Sequence, residues 1–442
     1  MDRRRFLGQV GGAAGGLALG GLPPTRAFRP GTQPSGRFAF NDRIAALQAA
    51  GDERLWRILK AQFVFPADYA YLNTAGLGAC PFVVSNTVKA MMDREEENPS
   101  ATHSETDWAR IRGKLAATLG PGCSADEIAL VSTATEGINV ILNGLGLSRG
   151  DEVITSTHEH PAVNIALLLK RATAGIEIRT FEPDLARAQG NVDRIAALFT
   201  PRTRVVFISH VTCTTGQLFP VPEIARLAAP RNIRVALDGA QSLCQLPIDI
   251  AASGADYYTA SGHKFLMGPK RTGILYVKRD RIESLTPTTV GSYSEASWSM
   301  PERHLALRPN AQRYEYGTQN DALIYGLETA ADLVSSIGLP AIWEHNRALA
   351  EQCYEGLRKL PGVDLLSAAE PEARTAILSF RIRNRTNSDV AAELGRNRIR
   401  VRVVSEAGLN AIRVSFHIFN DAEQVGRLLD QVGRLAGRPT RP

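Results

Sequence analysis

Ser261-Gly262-His263-Lys264 sets an amine beside a hydroxyl and an imidazole, 26 residues after an aspartate that closes the short run Val235-Ala236-Leu237-Asp238-Gly239-Ala240-Gln241. Alone, a strand-end aspartate is commonly a turn or capping residue, and a lysine is a solvated charge. In this order they supply what pyridoxal phosphate (PLP) chemistry requires. A lysine amine forms a Schiff base, an anion keeps the pyridine nitrogen protonated, and hydroxyl and imidazole groups serve a phosphate. The sequence therefore implies a PLP site around Asp238, Ser261, His263 and Lys264.

Positioning such groups calls for strands that end at one edge. Residues 128–131, 152–155, 204–208, 234–237 and 273–277 are short apolar runs, with helical patterns at 136–145, 162–172 and 221–229. Strands apolar on both faces and separated by helices predict an α/β fold, a three-layer, mainly parallel sheet covered on both sides. Ligands of such sheets lie beyond the carboxyl ends of the strands. Asp238, Ser209-His210 and Thr133-Ala134-Thr135 all fall at such ends. A helix is predicted over 41–65 and a short strand over 69–73, before a Gly-rich turn at 74–78. Residues 284–316 read as a long irregular stretch of the kind that carries function. From residue 321 a helical pattern gives way to strands at 375–383 and 411–416 and then a final helix, an α+β pattern.

The 442 residues are 44% hydrophobic and 22% charged, ordinary for a globular enzyme. Half of the net charge of +6 comes from Arg3, Arg4, Arg5 and Arg26 set against Asp2. The remainder is too weakly basic and too evenly spread to predict nucleic-acid binding. Arg3-Arg4-Arg5-Phe6-Leu7 resembles the twin-arginine export motif. A Gly/Ala/Leu stretch follows over 8–22, and Thr25-Arg26-Ala27 offers a cleavage site. So short and glycine-rich a run fits a signal sequence better than a membrane span, and no other stretch is long and apolar enough to cross. The expectation is a periplasmic or exported protein carried by the twin-arginine machinery; the alternative is a plain basic N-terminus. Cys80, Cys123, Cys213, Cys244 and Cys353 are odd in number and scattered, matching no metal spacing and no disulfide framework, so free thiols and no metal are expected.

Further pieces follow in order. Thr133-Ala134-Thr135-Glu136 opens a helix, where unpaired amides and the helix dipole favour an anion, although a plain threonine cap reads the same way. His158-Glu159-His160-Pro161 and Ser209-His210-Val211-Thr212-Cys213-Thr214-Thr215-Gly216 each follow a strand. Asp238 and Gln241 form D-x-x-Q, and Arg313-Tyr314-Glu315-Tyr316-Gly317-Thr318-Gln319-Asn320 and Ile412-Arg413-Val414-Ser415 come later. The set resembles class V of the fold-type I PLP enzymes, the aminotransferase group that includes cysteine desulfurases, selenocysteine lyases, kynureninases and isopenicillin N epimerases. The resemblance runs from about residue 71 to 421.

That resemblance implies a large PLP domain and a smaller α+β domain built from both ends of the chain. The organisation expected is a signal at 1–27, a linker at 28–40, a small-domain segment at 41–72, the PLP-binding large domain at 73–320 and the C-terminal small domain at 321–442. It further implies Ala134, Thr135, Ser261 and His263 around the phosphate, with His160 flat on the pyridine ring and His158 the lesser match. Asp238 would serve the ring nitrogen, Gln241 the phenolic oxygen and Lys264 the Schiff base. Thr318 would cross a homodimer interface to the partner's phosphate. Arg413, assisted by Arg402, would hold the carboxylate of an amino acid or related amine substrate. Cys213 stands where the family often has an asparagine beside the phenolic oxygen; a thiol is a weak donor there.

The chemistry so implied occurs at Cα, with the displaced Lys264 as general base. Transamination or an isopenicillin N epimerase-like inversion is the first expectation. The alternative is a C–S or C–Se β-lyase. Desulfurases carry a nucleophilic cysteine between the two C-terminal strands, but residues 403–412 contain none, so a persulfide-forming desulfurase is not expected. A third reading is a non-catalytic exported binding protein, against which the intact Asp238, His263 and Lys264 argue.

Overall fold

The computed structural model describes residues 35–99 and 104–437. The expected signal at 1–27 and the first part of the linker lie outside those residues. The rest of the linker is helical, because a helix spans Ser35–Ala49. The single helix expected over 41–65 is divided, with Arg54–Lys60 following a break at which Gly51 takes φ 62°.

After β1 (Ala70–Tyr71) come β2 (Ile128–Val131), β3 (Glu152–Ser156), β4 (Glu177–Phe181), β5 (Thr203–Ser209), β6 (Arg234–Asp238), β7 (Tyr257–Ser261) and β8 (Gly273–Val277). Among the described residues these last seven form one sheet in the order β2-β8-β7-β6-β5-β3-β4. β8 alone runs against the rest. Side chains alternate between two apolar cores. From β5, Val206 and Ile208 enter one core and Val205 and Phe207 the other; β6 sends Val235 and Leu237 one way and Ala236 the other. Period-two alternation with both faces buried is why these strands read as continuous apolar runs. Each of the valine, isoleucine, leucine and phenylalanine side chains contributes about 1.5–3 kcal/mol when fully buried.

The stretch expected to be irregular contains a hairpin, β9 (Glu295–Ser299) and β10 (His304–Leu307), largely exposed and so without the apolar signal of a core strand. A second sheet has the order β11 (Val363–Leu365), β12 (Ile377–Ile382), β15 (Ala411–Ser415), β14 (Arg402–Val404); β13 (Ile399–Arg400) pairs instead with β1. Leu378, Phe380, Ile412 and Val414 pack with Leu349 and Leu357 of helix Leu339–Arg358 and with Val425 and Leu428 of helix Ala422–Gly437. Arg413 and Ser415 alternate with that apolar set and so face the other way.

The cores do not follow the expected boundaries at 72 and 320. Ile44, Leu55, Leu59 and Phe63 join the core of the large sheet, as do Ile324, Leu327, Leu333 and Ile337 of helix Asp321–Ile337. Ala70 and Leu72 join that of the second sheet.

Candidate active site

The carboxyl ends of β2, β3, β6 and β7 deliver side chains to one cavity of about 230 Å³, and Arg402 and Arg413 enter it from the second sheet. It is lined by Thr133, Ala134, Thr135, His160, Asp238, Gln241, Ser261, His263, Lys264, Arg402 and Arg413, with Ala75 and Gly76 from the turn after β1. Of the residues expected from sequence, Thr318 is not brought here. It lines a separate hollow with Ser132, Arg271 and Asn320.

Each group has a local reason for its place. Thr133 is extended and caps helix Ala134–Gly144, its hydroxyl accepting from the Glu136 amide at 3.2 Å. The Ala134 amide donates to Ser261 Oγ at 3.0 Å, which joins the start of this helix to the end of β7. First-turn amides beside a hydroxyl make an anion site. His160 caps helix Pro161–Ala174, and its Nδ1 accepts from the Ala162 amide at 3.1 Å. That bond places the proton of the neutral ring on Nε2. Burial, and then the Lys264 charge, lower the His160 pKa. His158 is fully buried, and its Nε2 lies 3.0 Å from Glu182 outside the cavity.

Asp238 ends β6, with Oδ1 accepting from the Ala240 amide at 2.9 Å. Below it lies Glu159, whose buried carboxyl accepts from Ser156 Oγ at 2.5 Å and Ser209 Oγ at 2.6 Å. Burial pushes Glu159 up to about 7. Burial also lowers the Lys264 amine, opposed by the Asp238 charge, which favours its protonated form. His263 is pushed down to about 4 by burial and neighbouring lysines, so its ring is neutral. The Gly78 amide donates to the His263 carbonyl at 2.8 Å and clamps this loop.

Arg413 is fully buried. Its guanidinium donates to the Cys213 carbonyl at 2.5 Å and to Asn73 Oδ1 at 3.3 Å. Burial, then the neighbouring Arg402, lower it to about 10. Arg402 pairs with Glu406 on the turn after β14. The Cys213 thiol is buried, is not among the lining residues, and is pushed up to about 11 by burial. Sequence reasoning missed Asn73 and Glu406, because a lone polar residue in a turn carries no periodic signal.

Three lining side chains keep a buried polar atom without a protein partner: Gln241 Oε1, His263 Nδ1 and Arg413 Nε. Buried polar atoms are normally satisfied, so these point to a polar ligand. A helix N-terminus with Ser261 suits a phosphate, the Asp238 carboxylate suits a protonated ring nitrogen, and Lys264 is a buried amine for an aldehyde. The residues present fit PLP.

The comparisons agree with this geometry. The aminotransferase class-V profile matches residues 78–428. A cysteine desulfurase of Salmonella agona is 32% identical over 331 residues, covering 71% of this chain and 80% of that protein. One from Klebsiella pneumoniae is 31% identical over 339 residues, covering 74% and 81%. Among solved structures, a lysine-to-alanine mutant of C-DES with glycine covalently linked to the PLP cofactor superposes with a TM-score of 0.77 at 27% identity, covering 86% of this chain and 99% of that one. The complex of the cystine C–S lyase C-DES with its product cysteine persulfide gives 0.75 at 27%, covering 84% and 98%. This chain belongs to the aminotransferase class-V family of PLP-dependent, fold-type I enzymes.

Proposed function

We propose that this enzyme is a lyase that breaks the Cβ–S bond of a cysteine-derived amino acid by β-elimination, without an enzyme thiol. The observation that carries the reading is the state of its cysteines. The turn between β14 and β15 holds none, and all five thiols are free, with burial raising the pKa of each. A protonated thiol is a poor nucleophile. The likeness to a cystine C–S lyase supports the same reading.

When bound, PLP supplies an electron sink for the pair released by breaking the Cα–H bond. Ala134, Thr135, Ser261 and His263 would hold its phosphate, Asp238 its ring nitrogen and Gln241 its phenolic oxygen, with His160 against the ring. Arg413 would orient the substrate's α-carboxylate. The Lys264 amine, whose neutral form is favoured by burial, would take the Cα proton. As that pair forms the Cα–Cβ double bond, sulfur departs from Cβ with the electrons of the broken bond. The freed enamine hydrolyses in water to pyruvate and ammonium.

A cysteine S-conjugate should yield thiol, pyruvate and ammonium in equal amounts. Transfer of the amino group to an added keto acid would contradict the reading. Two further parts rest on sequence. Thr318 would complete the partner's phosphate site in a homodimer, and sedimentation of the holoenzyme as a monomer would refute that. Arg3 and Arg4 would direct twin-arginine export, and an exported fraction undiminished in the double lysine variant would refute it.

A further inference from the structure

Lys264 opens a tight turn, closed by the Met267 amide on the Lys264 carbonyl at 3.1 Å. Met267 is fully buried and takes φ 62°. A left-handed conformation is costly for a residue with a side chain and persists where the surroundings fix it. Three donors from other parts of the chain fix this one. The Gly78 amide binds the His263 carbonyl at 2.8 Å, Cys80 Sγ binds the Met267 carbonyl at 3.3 Å, and His417 Nε2 lies 2.9 Å from the Phe265 carbonyl. The first and third meet the residues on either side of Lys264.

His417 comes from the continuation of β15. Ile412, Val414 and Phe416 enter the core of the second sheet, so the alternate residues Arg413, Ser415 and His417 face the other way. Each of the three is at most 1% exposed, and each reaches another element. Arg413 donates to the Cys213 carbonyl and Asn73, Ser415 Oγ accepts from the Ala75 amide at 3.0 Å, and His417 meets Phe265. A carbonyl oxygen only accepts, so His417 Nε2 carries a proton. Nδ1 is then the acceptor, and Asn346 Nδ2 of helix Leu339–Arg358 faces it at 3.5 Å. Burial pushes His417 down to about 3, which keeps the ring neutral. The His417 amide donates to Asn420 Oδ1 at 2.9 Å, and the ring stands edge-on to Phe265 and Phe419. The ring is thus held on every side, and its one N–H is spent on the peptide after the lysine.

We infer that His417 is a positioning residue for Lys264: its Nε2–H on the Phe265 carbonyl fixes where the lysine amine reaches and ties that amine to the strand that carries Arg413. The neutral amine adds to the aldehyde of PLP, and water leaves as the Schiff base forms. That step needs the amine aimed at the aldehyde carbon, and a small misplacement slows it without loosening the grip on the phosphate. The phosphate donors, Ala134 and Ser261, belong to other elements.

The test mixes apo-protein with PLP and follows two signals. Protein fluorescence reports binding, and the visible band reports condensation; Lys264→Ala should give the first without the second. The variants are His417→Gln and His417→Asn. Both lose the ring and its packing, but a glutamine amide nitrogen reaches the place of Nε2, whereas that of asparagine reaches only the place of Nδ1. Both should bind PLP within about twofold of the wild type. Condensation should stay within about twofold in His417→Gln and slow about tenfold in His417→Asn, the worth of one buried hydrogen bond. Equal condensation rates in the two variants, or a rate that falls only in step with PLP affinity, would overturn the inference. A glutamine variant that fails to fold, or that condenses tenfold slower, overturns it as well, and this comparison stands whether or not the asparagine variant folds.

Discussion

Gly78→Ala probes the site without removing any of its functional groups. A β-carbon built on Gly78 lies 2.3 Å from the Lys264 carbonyl and 2.5 Å from that of His263, both backbone atoms. Ordinary contact begins near 3.4 Å, so one of the two loops must retreat by about 1 Å. Overpacking of this kind costs about 1–3 kcal/mol. Loss of the Gly78 amide bond to the His263 carbonyl adds about 1 kcal/mol. The retreat also moves the peptide that carries Lys264, so PLP affinity should fall at least about tenfold, which is only about 1.4 kcal/mol. Gly146→Ala is the control. Gly146 sits at φ 64° with nothing within 4 Å, so alanine there incurs only backbone strain, about 1–2 kcal/mol. Urea unfolding and fluorescence titration of the apo-protein with PLP would separate the two. A Gly78→Ala protein with wild-type stability and PLP affinity would refute the clamp between this turn and the Lys264 loop.

Other perturbations have defined outcomes. Glu159 has a folded pKa of about 7 against an ordinary 4.5, so its contribution to stability is full below 4.5 and is lost as pH rises through 7. Glu159→Gln should therefore flatten the fall, about 3 kcal/mol, that urea midpoints of the wild type show over this range; parallel pH profiles would contradict this. Arg112 pairs with Glu315 through two bonds of 2.9 Å in the core, and Glu315 also accepts from the Leu130 amide at 2.8 Å. Arg112→Leu strands that carboxylate and should cost about 3–5 kcal/mol in equilibrium unfolding. Lys264→Ala should remove the visible absorption that PLP acquires on binding this lysine, and an undiminished band would move the Schiff base to another residue.

What could be read from the sequence follows burial. β5 and β6 were legible because both faces are covered, so residues 205–208 and 235–237 are unbroken apolar runs. β4 is an edge strand with Glu177 and Thr180 exposed, and its sequence shows no such run. The hairpin β9–β10 was illegible for the same reason, since Trp298 and Leu305 stand in solvent. Helix Ala188–Ala196 carries Gly190 and Asn191 on its buried side, which breaks the apolar stripe. Asp238, His263 and Lys264 were readable because they occur in a fixed order at strand ends. The partner of Arg402 was not. Glu406 reaches it from four residues along, at the start of a turn in which Ala407, Gly408 and Asn410 take the positive φ that sequence propensity disfavours.

The central claim is β-elimination without an enzyme thiol, and the product of sulfur removal tests it most directly. Removing sulfur by transfer to an enzyme thiol leaves alanine; eliminating it leaves pyruvate. The measurement is the ratio of pyruvate to alanine formed from cystine by the wild type and by Cys213→Ala. Pyruvate as the product of both proteins is the predicted result. Alanine from the wild type, lost in Cys213→Ala, would contradict the account.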